Sequence, residues 1–246
     1  MSLPVHVVPS LAGVSAGSGV VVDGAEAHHA VVVRRLRVGE SVMLTDGEGT
    51  SAVGEVTVAA KSAFEVAVSS VRTDPRPDPE VVVVQAIPKG ERGELAVEVL
   101  TEVGVSVIVP WAAARCVAVW KGDRATRSLT RWRSTAREAA KQARRTWHPV
   151  VQDLTTTTGV ADLVVSADLA VVLHEASVGP LAALSVPLAG RIVVIVGPEG
   201  GLTDEEVSGF TAAGAVSVRL GPEVLRTSTA GVAAVAALLT RTPRWS

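Results

Sequence analysis

Cysteine occurs only once in this chain of 246 residues, at Cys116. A single cysteine excludes an internal disulfide and a cysteine-rich zinc site. His28 and His29 are adjacent rather than four residues apart, and the chain contains no His-Glu-x-x-His motif. No metal site is therefore predicted.

Long apolar runs are also missing. The longest, residues 230–239, is too short to cross a bilayer and is typical of a core helix. The first ten residues have neither the basic start nor the apolar segment of a signal peptide. These features favour a cytoplasmic protein.

The formal net charge is only −2, but the charges are unevenly distributed. Residues 115–145 contain ten basic and two acidic residues, a net charge of +8. The rest of the chain contains 13 basic and 23 acidic residues, a net charge of −10. So polarised a chain is expected to present a basic face to a polyanion such as RNA.

The basic segment has the period of an amphipathic helix. At about 100° per residue, small and apolar residues fall on one stripe. The stripe consists of Ala125, Leu129, Trp132, Ala136, Ala139, Ala140 and Ala143. Acidic residues at the spacing that would pair with the arginines are nearly absent, so the positive charge is expected to be uncompensated. A solvated surface helix is one interpretation, and RNA contact is the favoured one. The candidate contacts in and beside this helix are Arg115, Arg124, Arg127, Arg131 and Arg145.

Three alternating prolines in residues 73–79 predict a stiff linker between two domains. Residues 1–72 alternate apolar and polar side chains, most clearly at 64–68, and predict a small β domain. Within it a helical stretch at 25–36 ends in a basic cluster that contains Arg34 and Arg37.

Residues 80–246 predict an α/β domain with a parallel sheet. A strand at 81–87, a helix at 91–103 and a strand at 105–109 form a βαβ unit. The further strands are expected at 163–165, 169–173 and 192–196.

A glycine-rich loop follows the last of these strands. Gly197, Gly200 and Gly201 allow a ligand to approach the backbone, and Thr203 with Glu206 predicts a capping box that opens a helix. The loop lacks both the dinucleotide fingerprint and a Gly-Lys-Ser/Thr ending, and Glu199 lies where a phosphate would have to bind. This disfavours a nucleotide-dependent dehydrogenase. The pattern favours an adenosine ligand without phosphates, such as S-adenosylmethionine, although an ordinary strand-to-helix turn has the same residues.

A second loop, at 221–230, follows an alternating strand and leads into an apolar helix that ends near Leu239. Arg226 lies between Leu225 and Thr227 in this loop. The local pattern allows a cation at the start of a helix or a substrate contact.

The two loops, VGPEGGLTDEE and RLGPEVLRTSTA, resemble the C-terminal signature of the 16S ribosomal RNA uridine-N3 methyltransferases (RsmE type) of the SPOUT superfamily. The similarity extends to RRLRVGESVMLTDGEG at 34–49, KGERGELAVEVLTEVGV at 89–105 and EAAKQARR at 138–145, and so covers nearly the whole chain. It implies an N-terminal PUA-like RNA-binding β-barrel at 1–72 and a methyltransferase domain with a trefoil knot at 80–246. It also implies a homodimer that acts on ribosomal RNA of the small subunit.

The resemblance also implies roles for individual residues. The cofactor-binding candidates are Leu173, Glu175, Gly197, Pro198, Glu199, Gly200, Gly201, Leu220, Gly221, Val224 and Leu225. Arg226 is the candidate catalytic residue, because its fixed charge would stabilise a uridine that has lost the N3 proton. Arg34 and Arg37 are candidate contacts to RNA phosphates.

Three positions depart from the family pattern. Ser228 stands where many members have glutamate, Ala113-Ala114 where many have Ser-Glu, and Val99 where a lysine is common. Ser228 is expected to act as a helix cap. Because the missing glutamate could have been the general base, a non-catalytic RNA-binding protein of the same fold is an alternative. An enzyme of the superfamily that acts on a ribose 2′-hydroxyl or on another RNA is a second alternative.

Overall fold

The structure is a computed structural model that describes residues 3–245. Contacts divide the chain into two units. The first comprises the residues up to Arg76 together with Ala140–His148, and the second comprises Pro77–Ala139 and the residues from Pro149 onwards. The chain thus leaves the first unit, enters the second and returns briefly to the first.

The first unit is built on a five-stranded sheet in the order β1-β3-β4-β5-β2. The strands are β1 (Val5–Val7), β2 (Gly19–Asp23), β3 (Ser41–Thr45), β4 (Thr50–Ala60) and β5 (Ala63–Thr73). Only β1 and β3 are parallel; the other neighbours are antiparallel. The pairing of β4 with β5 shifts register twice, after Val53 and after Val56, and such bulges bend and twist a sheet. The small β domain predicted from the alternation is confirmed.

One face of this sheet forms the core of the first unit. The buried side chains follow the two-residue period of a strand: Val42 and Leu44 on β3, and Phe64 and Val66 on β5. Val56 on β4 is buried in the same core. Helix α1 (Gly24–His28) covers them and continues into a π-helical turn at His29–Val33. The helical stretch therefore ends at Val33 rather than at Leu36.

The second unit contains a six-stranded parallel sheet in the order β11-β9-β10-β6-β7-β8. The strands are β6 (Glu80–Ala86), β7 (Val107–Trp111), β8 (Val150–Val151), β9 (Leu169–Leu173), β10 (Arg191–Val196) and β11 (Val216–Val218). The helices are α2 (Arg92–Glu102), α3 (Gly122–Gln142), which ends in the first unit, α4 (Thr157–Val165), α5 (Asp204–Ala212) and α6 (Thr227–Leu239). The predicted α/β class is confirmed.

Both faces of the parallel sheet are buried, which explains why its strands read as unbroken apolar runs. On β6, Val81 and Val83 face one layer of the core, which includes residues of α2, α3 and α6. Val82 and Val84 face the opposite layer, which includes residues of α4 and α5. The sheet thus lies between two layers of helices.

One predicted strand is wrong. Residues 163–165 form the end of α4, whose N-cap Thr156 accepts a hydrogen bond from the backbone N–H of Gly159. Residues 163–165 are apolar and two of the three are β-branched valines, so these residues alone do not distinguish a strand from a helix turn. None of the helices within residues 3–245 is long and apolar enough to cross a membrane.

Candidate cofactor site

The candidate site lies where two neighbouring parallel strands end. Leu173, the last residue of β9, is paired in register with Val196, the last residue of β10. The loops that follow them therefore start at the same edge of the sheet, which is the usual place for a ligand in an open α/β sheet. The N-terminus of α6 reaches this edge as well, because Gln85 of β6 donates from Nε2 to the carbonyl oxygen of Thr227 at 3.3 Å.

These segments enclose a cavity of about 560 Å³, which is within the usual range for a small-molecule site. The predicted site residues that line it are Leu173, Glu175, Gly197, Pro198, Glu199, Gly200, Gly201, Val224, Leu225 and Arg226. Leu220 and Gly221 instead line a smaller cavity of about 80 Å³, which shares Leu173, Val224 and Leu225 with the larger one. The structure therefore brings together segments that are distant in sequence.

The glycine-rich loop is fixed at both of its ends. At its start, Glu199 Oε1 accepts a hydrogen bond from the backbone N–H of Lys89 at 3.1 Å. At its end, Thr203 Oγ1 accepts from the N–H of Glu206, and Glu206 Oε2 accepts from the N–H of Thr203, which is the predicted capping box. The carboxylate of Glu199 thus has a structural role that the sequence did not indicate.

Arg226 occupies the position before the first residue of α6. It is the N-cap residue, its side chain is exposed, and it lines the cavity. The backbone carbonyl of Arg226 accepts from the N–H groups of Thr229 and Ala230. Its guanidinium makes no hydrogen bond within residues 3–245, and so it is available to a bound molecule.

Ser228 does not act as the predicted helix cap. It lies inside α6, as the second helical residue, and it is buried. Its Oγ has no hydrogen-bond partner among residues 3–245. The N-cap is Arg226, because the chain becomes helical two residues earlier than a serine cap would require.

Several residues at the cavity were not predicted. Arg92, at the start of α2, His174, Asp204 and Thr227 all line it. Gln85 is fully buried and is linked to the cavity through its hydrogen bond to the carbonyl oxygen of Thr227. Arg92 and Thr227 lie within the segments that carry the family resemblance. Gln85 lies within an apolar strand, and the sequence does not distinguish it from an ordinary buried amide.

The basic helix has the predicted apolar stripe. Trp132, Ala136, Ala139 and Ala140 are buried, whereas Arg124 and Arg127 are exposed. Neither of these two arginines makes an ion pair within the described residues.

The expectation of uncompensated charge is wrong for part of the helix. Arg131 Nη1 lies 3.3 Å from Glu94 Oε1, and Arg133 Nη2 lies 2.9 Å from Asp153 Oδ1. Lys141 Nζ lies 2.9 Å from Glu26 Oε1. These acidic partners come from other elements, so the spacing of charges along one helix could not reveal them.

The other predicted RNA contacts lie on loops. Arg34 and Arg37 are exposed after the π-helical turn of the first unit. Arg145 follows α3 in the same unit, and its backbone N–H donates to the carbonyl of Ala140. Arg115 lines the cavity of the second unit and donates from Nη1 to the carbonyl oxygen of Leu202 at 3.2 Å.

Comparison with known proteins decides the family. A model of the RNA methyltransferase domain matches residues 75–239, and a model of the RNA methyltransferase PUA domain matches residues 22–69. A protein of Mycobacterium bovis named ribosomal RNA small subunit methyltransferase E is 44% identical over 233 residues, which cover 93% of this chain and 89% of that protein. The chain belongs to the ribosomal RNA small subunit methyltransferase E family.

Two further comparisons with the methyltransferase E family, one of sequence and one of structure, agree with this assignment. The Bacillus subtilis protein of that name is 31% identical over 225 residues, 88% of either chain. The crystal structure of the Neisseria gonorrhoeae protein, bound to S-adenosylmethionine, has a TM-score of 0.85 and 29% identity, and it covers 97% of this chain and 98% of that one. Similarity at this level extends over both units, and the family resemblance predicted from the two loops is confirmed.

Proposed function

We propose that this protein transfers a methyl group from S-adenosylmethionine to N3 of a uridine in the ribosomal RNA of the small subunit. The observation that carries the proposal is the cavity where β9 and β10 end, whose wall includes the glycine-rich loop and Arg226. The Neisseria relative with the same fold was crystallised with S-adenosylmethionine. Such a substrate implies a cytoplasmic protein.

The residues that line the cavity fit this cofactor in size and chemistry. Leu173, Val224 and Leu225 offer apolar surface to an adenine ring. Gly200 and Gly201 line the cavity with backbone atoms alone, so a ligand can come close to their backbone groups. Glu175 and Asp204 provide carboxylates for the cationic parts of the cofactor.

When bound, S-adenosylmethionine supplies an electrophilic methyl group. A bond forms between N3 of the uridine and the methyl carbon, the bond from that carbon to sulfur breaks, and S-adenosylhomocysteine leaves as a neutral thioether. N3 must also give up its proton, which passes to solvent, so the site has to stabilise negative charge on the pyrimidine. Arg226 holds a fixed positive charge at the cavity, and we assign it this role.

The arginines outside the cavity would hold the RNA through its phosphates. Arg124 and Arg127 on α3 are exposed and without ion pairs within residues 3–245, which supports this role for them. Arg34, Arg37 and Arg145 are candidates in the first unit. Arg131 is a weaker candidate, because Glu94 already compensates part of its charge.

The proposed reaction is tested by methyl transfer from labelled cofactor to small ribosomal subunits that lack the modification, followed by nucleoside analysis. We expect 3-methyluridine with the wild-type protein. Arg226→Ala should lower kcat by about 100-fold, in the range seen when a charge-stabilising donor is removed. Its Kd for the cofactor should change much less, because the charge acts on the pyrimidine.

Two controls make this test decisive. Lys61→Ala, at the exposed turn between β4 and β5, should leave the rate unchanged. Cofactor binding by the wild-type protein without any transfer would instead identify a non-catalytic RNA-binding protein. A 2′-O-methyl nucleoside as the product would show a ribose methyltransferase, and an unchanged rate for Arg226→Ala would remove that residue from the mechanism.

We further propose that the protein is a homodimer. Val224, which lines the cavity, is 75% exposed, and Leu225 is 41% exposed, so the rim of the cavity presents apolar surface that a second chain would cover. Light scattering during size exclusion should give the mass of two chains. Val224→Asp should shift the mass towards one chain, whereas a wild-type monomer at micromolar concentration would contradict the proposal.

A further inference from the structure

Arg115 contacts the glycine-rich loop through both its side chain and its backbone. Its Nη1 donates to the carbonyl oxygen of Leu202 at 3.2 Å and lies 3.5 Å from that of Gly200. A Cβ atom at position 200 would lie 2.8 Å from the carbonyl oxygen of Arg115 and 2.9 Å from its Cβ. Only glycine at position 200 therefore allows this approach, so the two residues are matched to each other.

The residue before Arg115 is held by a second contact. The backbone N–H of Ala114 donates to Glu206 Oε1 at 2.8 Å. The side chain of Glu206 is nearly fully buried, and its other oxygen accepts from the N–H of Thr203 at 3.0 Å. A buried carboxylate is stable when it accepts several backbone hydrogen bonds, as this one does. Residues 114–115 are thus attached to the glycine-rich loop at its middle and at its end.

This environment differs from that of Arg124 and Arg127 in the same basic segment. The side chains of Arg124 and Arg127 make no hydrogen bond or ion pair within residues 3–245, whereas the guanidinium of Arg115 donates to backbone carbonyl groups. A glycine-rich loop loses much conformational entropy when a ligand orders it. A side chain that orders the loop beforehand lowers this cost and so increases affinity.

We propose that Arg115 is a positioning residue of the cofactor site. Its guanidinium fixes the carbonyl groups of Gly200 and Leu202, and with the Ala114–Glu206 contact it holds the loop in the conformation that binds S-adenosylmethionine. This assignment rests on the proposed function, because it requires that the cavity binds that cofactor. It replaces an RNA phosphate contact as the main role of Arg115.

The test compares Arg115→Ala with Arg127→Ala in two binding measurements. Calorimetry with S-adenosylmethionine should show a Kd raised about tenfold in Arg115→Ala, as expected for the loss of charge-assisted hydrogen bonds. Filter binding to deproteinised small-subunit RNA should show a Kd within about twofold of the wild type. Arg127→Ala should give the opposite pattern, with an unchanged cofactor Kd and weaker RNA binding. An Arg115→Ala protein that loses only RNA affinity would overturn the inference.

Hydrogen exchange separates positioning from direct contact with the cofactor. If Arg115 orders the loop, Arg115→Ala should speed the exchange of amides 199–203 in the protein without cofactor. Unchanged exchange together with weaker cofactor binding would mean that Arg115 only touches the ligand, and would overturn the inference.

Arg115→Lys keeps the charge and provides a test if the alanine variant does not fold. Lysine lacks the planar fork that reaches two carbonyl groups, so cofactor binding should remain weaker than in the wild type while RNA binding is retained. Full recovery of cofactor affinity would contradict the positioning role. A wild-type protein that does not bind S-adenosylmethionine at all would overturn the proposed function itself, whereas an unchanged Kd in both variants would overturn only the role of Arg115.

Discussion

Replacing Trp132 with alanine is expected to lower the free energy of unfolding of the second unit by about 4 kcal/mol, the usual cost of removing a buried tryptophan. Trp132 is 2% exposed and belongs to the core layer between the parallel sheet and α2, α3 and α6. Its ring packs edge-on against the ring of Trp120, with the two ring centroids 5.0 Å apart. The substitution would therefore leave a large cavity under the basic helix, and urea unfolding followed by circular dichroism measures the loss.

The contact between α3 and α2 at Trp132 provides a second variant and a control. A Cβ at Gly93 would lie 2.8 Å from Trp132 Nε1, so Gly93→Ala should also destabilise this unit, by about 1–3 kcal/mol. Arg127→Ala, on the exposed side of the same helix, should change stability by less than about 0.5 kcal/mol. If Trp132→Ala unfolds at the same urea concentration as the wild type, Trp132 does not contribute to the core between α3 and the parallel sheet.

The stripe that contains Trp132 shows what periodicity predicts well. Long, regular patterns determine which face of a helix is buried, because burial depends mainly on the apolar side chains that the sequence displays. The same reasoning located β10, which precedes the glycine-rich loop, and β11, which precedes the second loop. It failed at 163–165, where three apolar residues fit a helix end and a strand equally well.

Only part of the candidate site could be predicted from the sequence. The two loops could be located from glycines, a capping box and the family resemblance, and the structure brings them together at the ends of β9 and β10. The partners that hold them could not be located. Gln85, Lys89 and Ala114 act through a buried amide or through backbone N–H groups, and side-chain chemistry in the sequence gives no sign of a backbone donor.

The ion pairs of the basic helix could not be predicted from the sequence either. The basic residues of α3 appeared unpaired because a sequence reveals only neighbours along one helix. Their acidic partners, Glu94, Asp153 and Glu26, come from other elements. Arg115 appeared to belong with them because of its position in a basic segment, yet it is bound to the glycine-rich loop. Threading of the chain through a trefoil knot stays a prediction of the resemblance, because periodicity is independent of threading.

Removing the ammonium group of Lys141 is expected to destabilise the first unit by about 3 kcal/mol, the cost of leaving a buried charge without its partner. Glu26 Oε1 lies 2.9 Å from Lys141 Nζ and 3.1 Å from His6 Nδ1, and the side chains of Glu26 and Lys141 are each only 11% exposed. Lys141→Met keeps most of the apolar stem and removes the charge. Thermal unfolding, monitored by the signals of the first unit, measures the difference.

The same carboxylate makes the stability of the first unit depend on acid. Burial alone would raise the pKa of Glu26, but hydrogen bonds from His6 and Lys141 and the charge of Lys141 outweigh burial and lower it from 4.5 to about 2. Because the folded state binds this proton less readily than the unfolded state, the contribution of Glu26 is complete above pH 4.5 and is lost as the pH falls towards 2. A shift of this size corresponds to about 3 kcal/mol.

Lys141→Met should therefore lose this stability at a higher pH than the wild type, because without the ammonium group the pKa of Glu26 rises. As the pH falls from 7 to 3, the free energies of unfolding of the two proteins should converge. Acid protonates Glu26 and so removes from the wild type part of the stabilisation that the substitution has already removed from the variant. Lys61→Met, at the exposed turn between β4 and β5, controls for the loss of one lysine. A constant difference between Lys141→Met and the wild type across this range would show that the lysine contributes through packing of its stem rather than through its charge on Glu26.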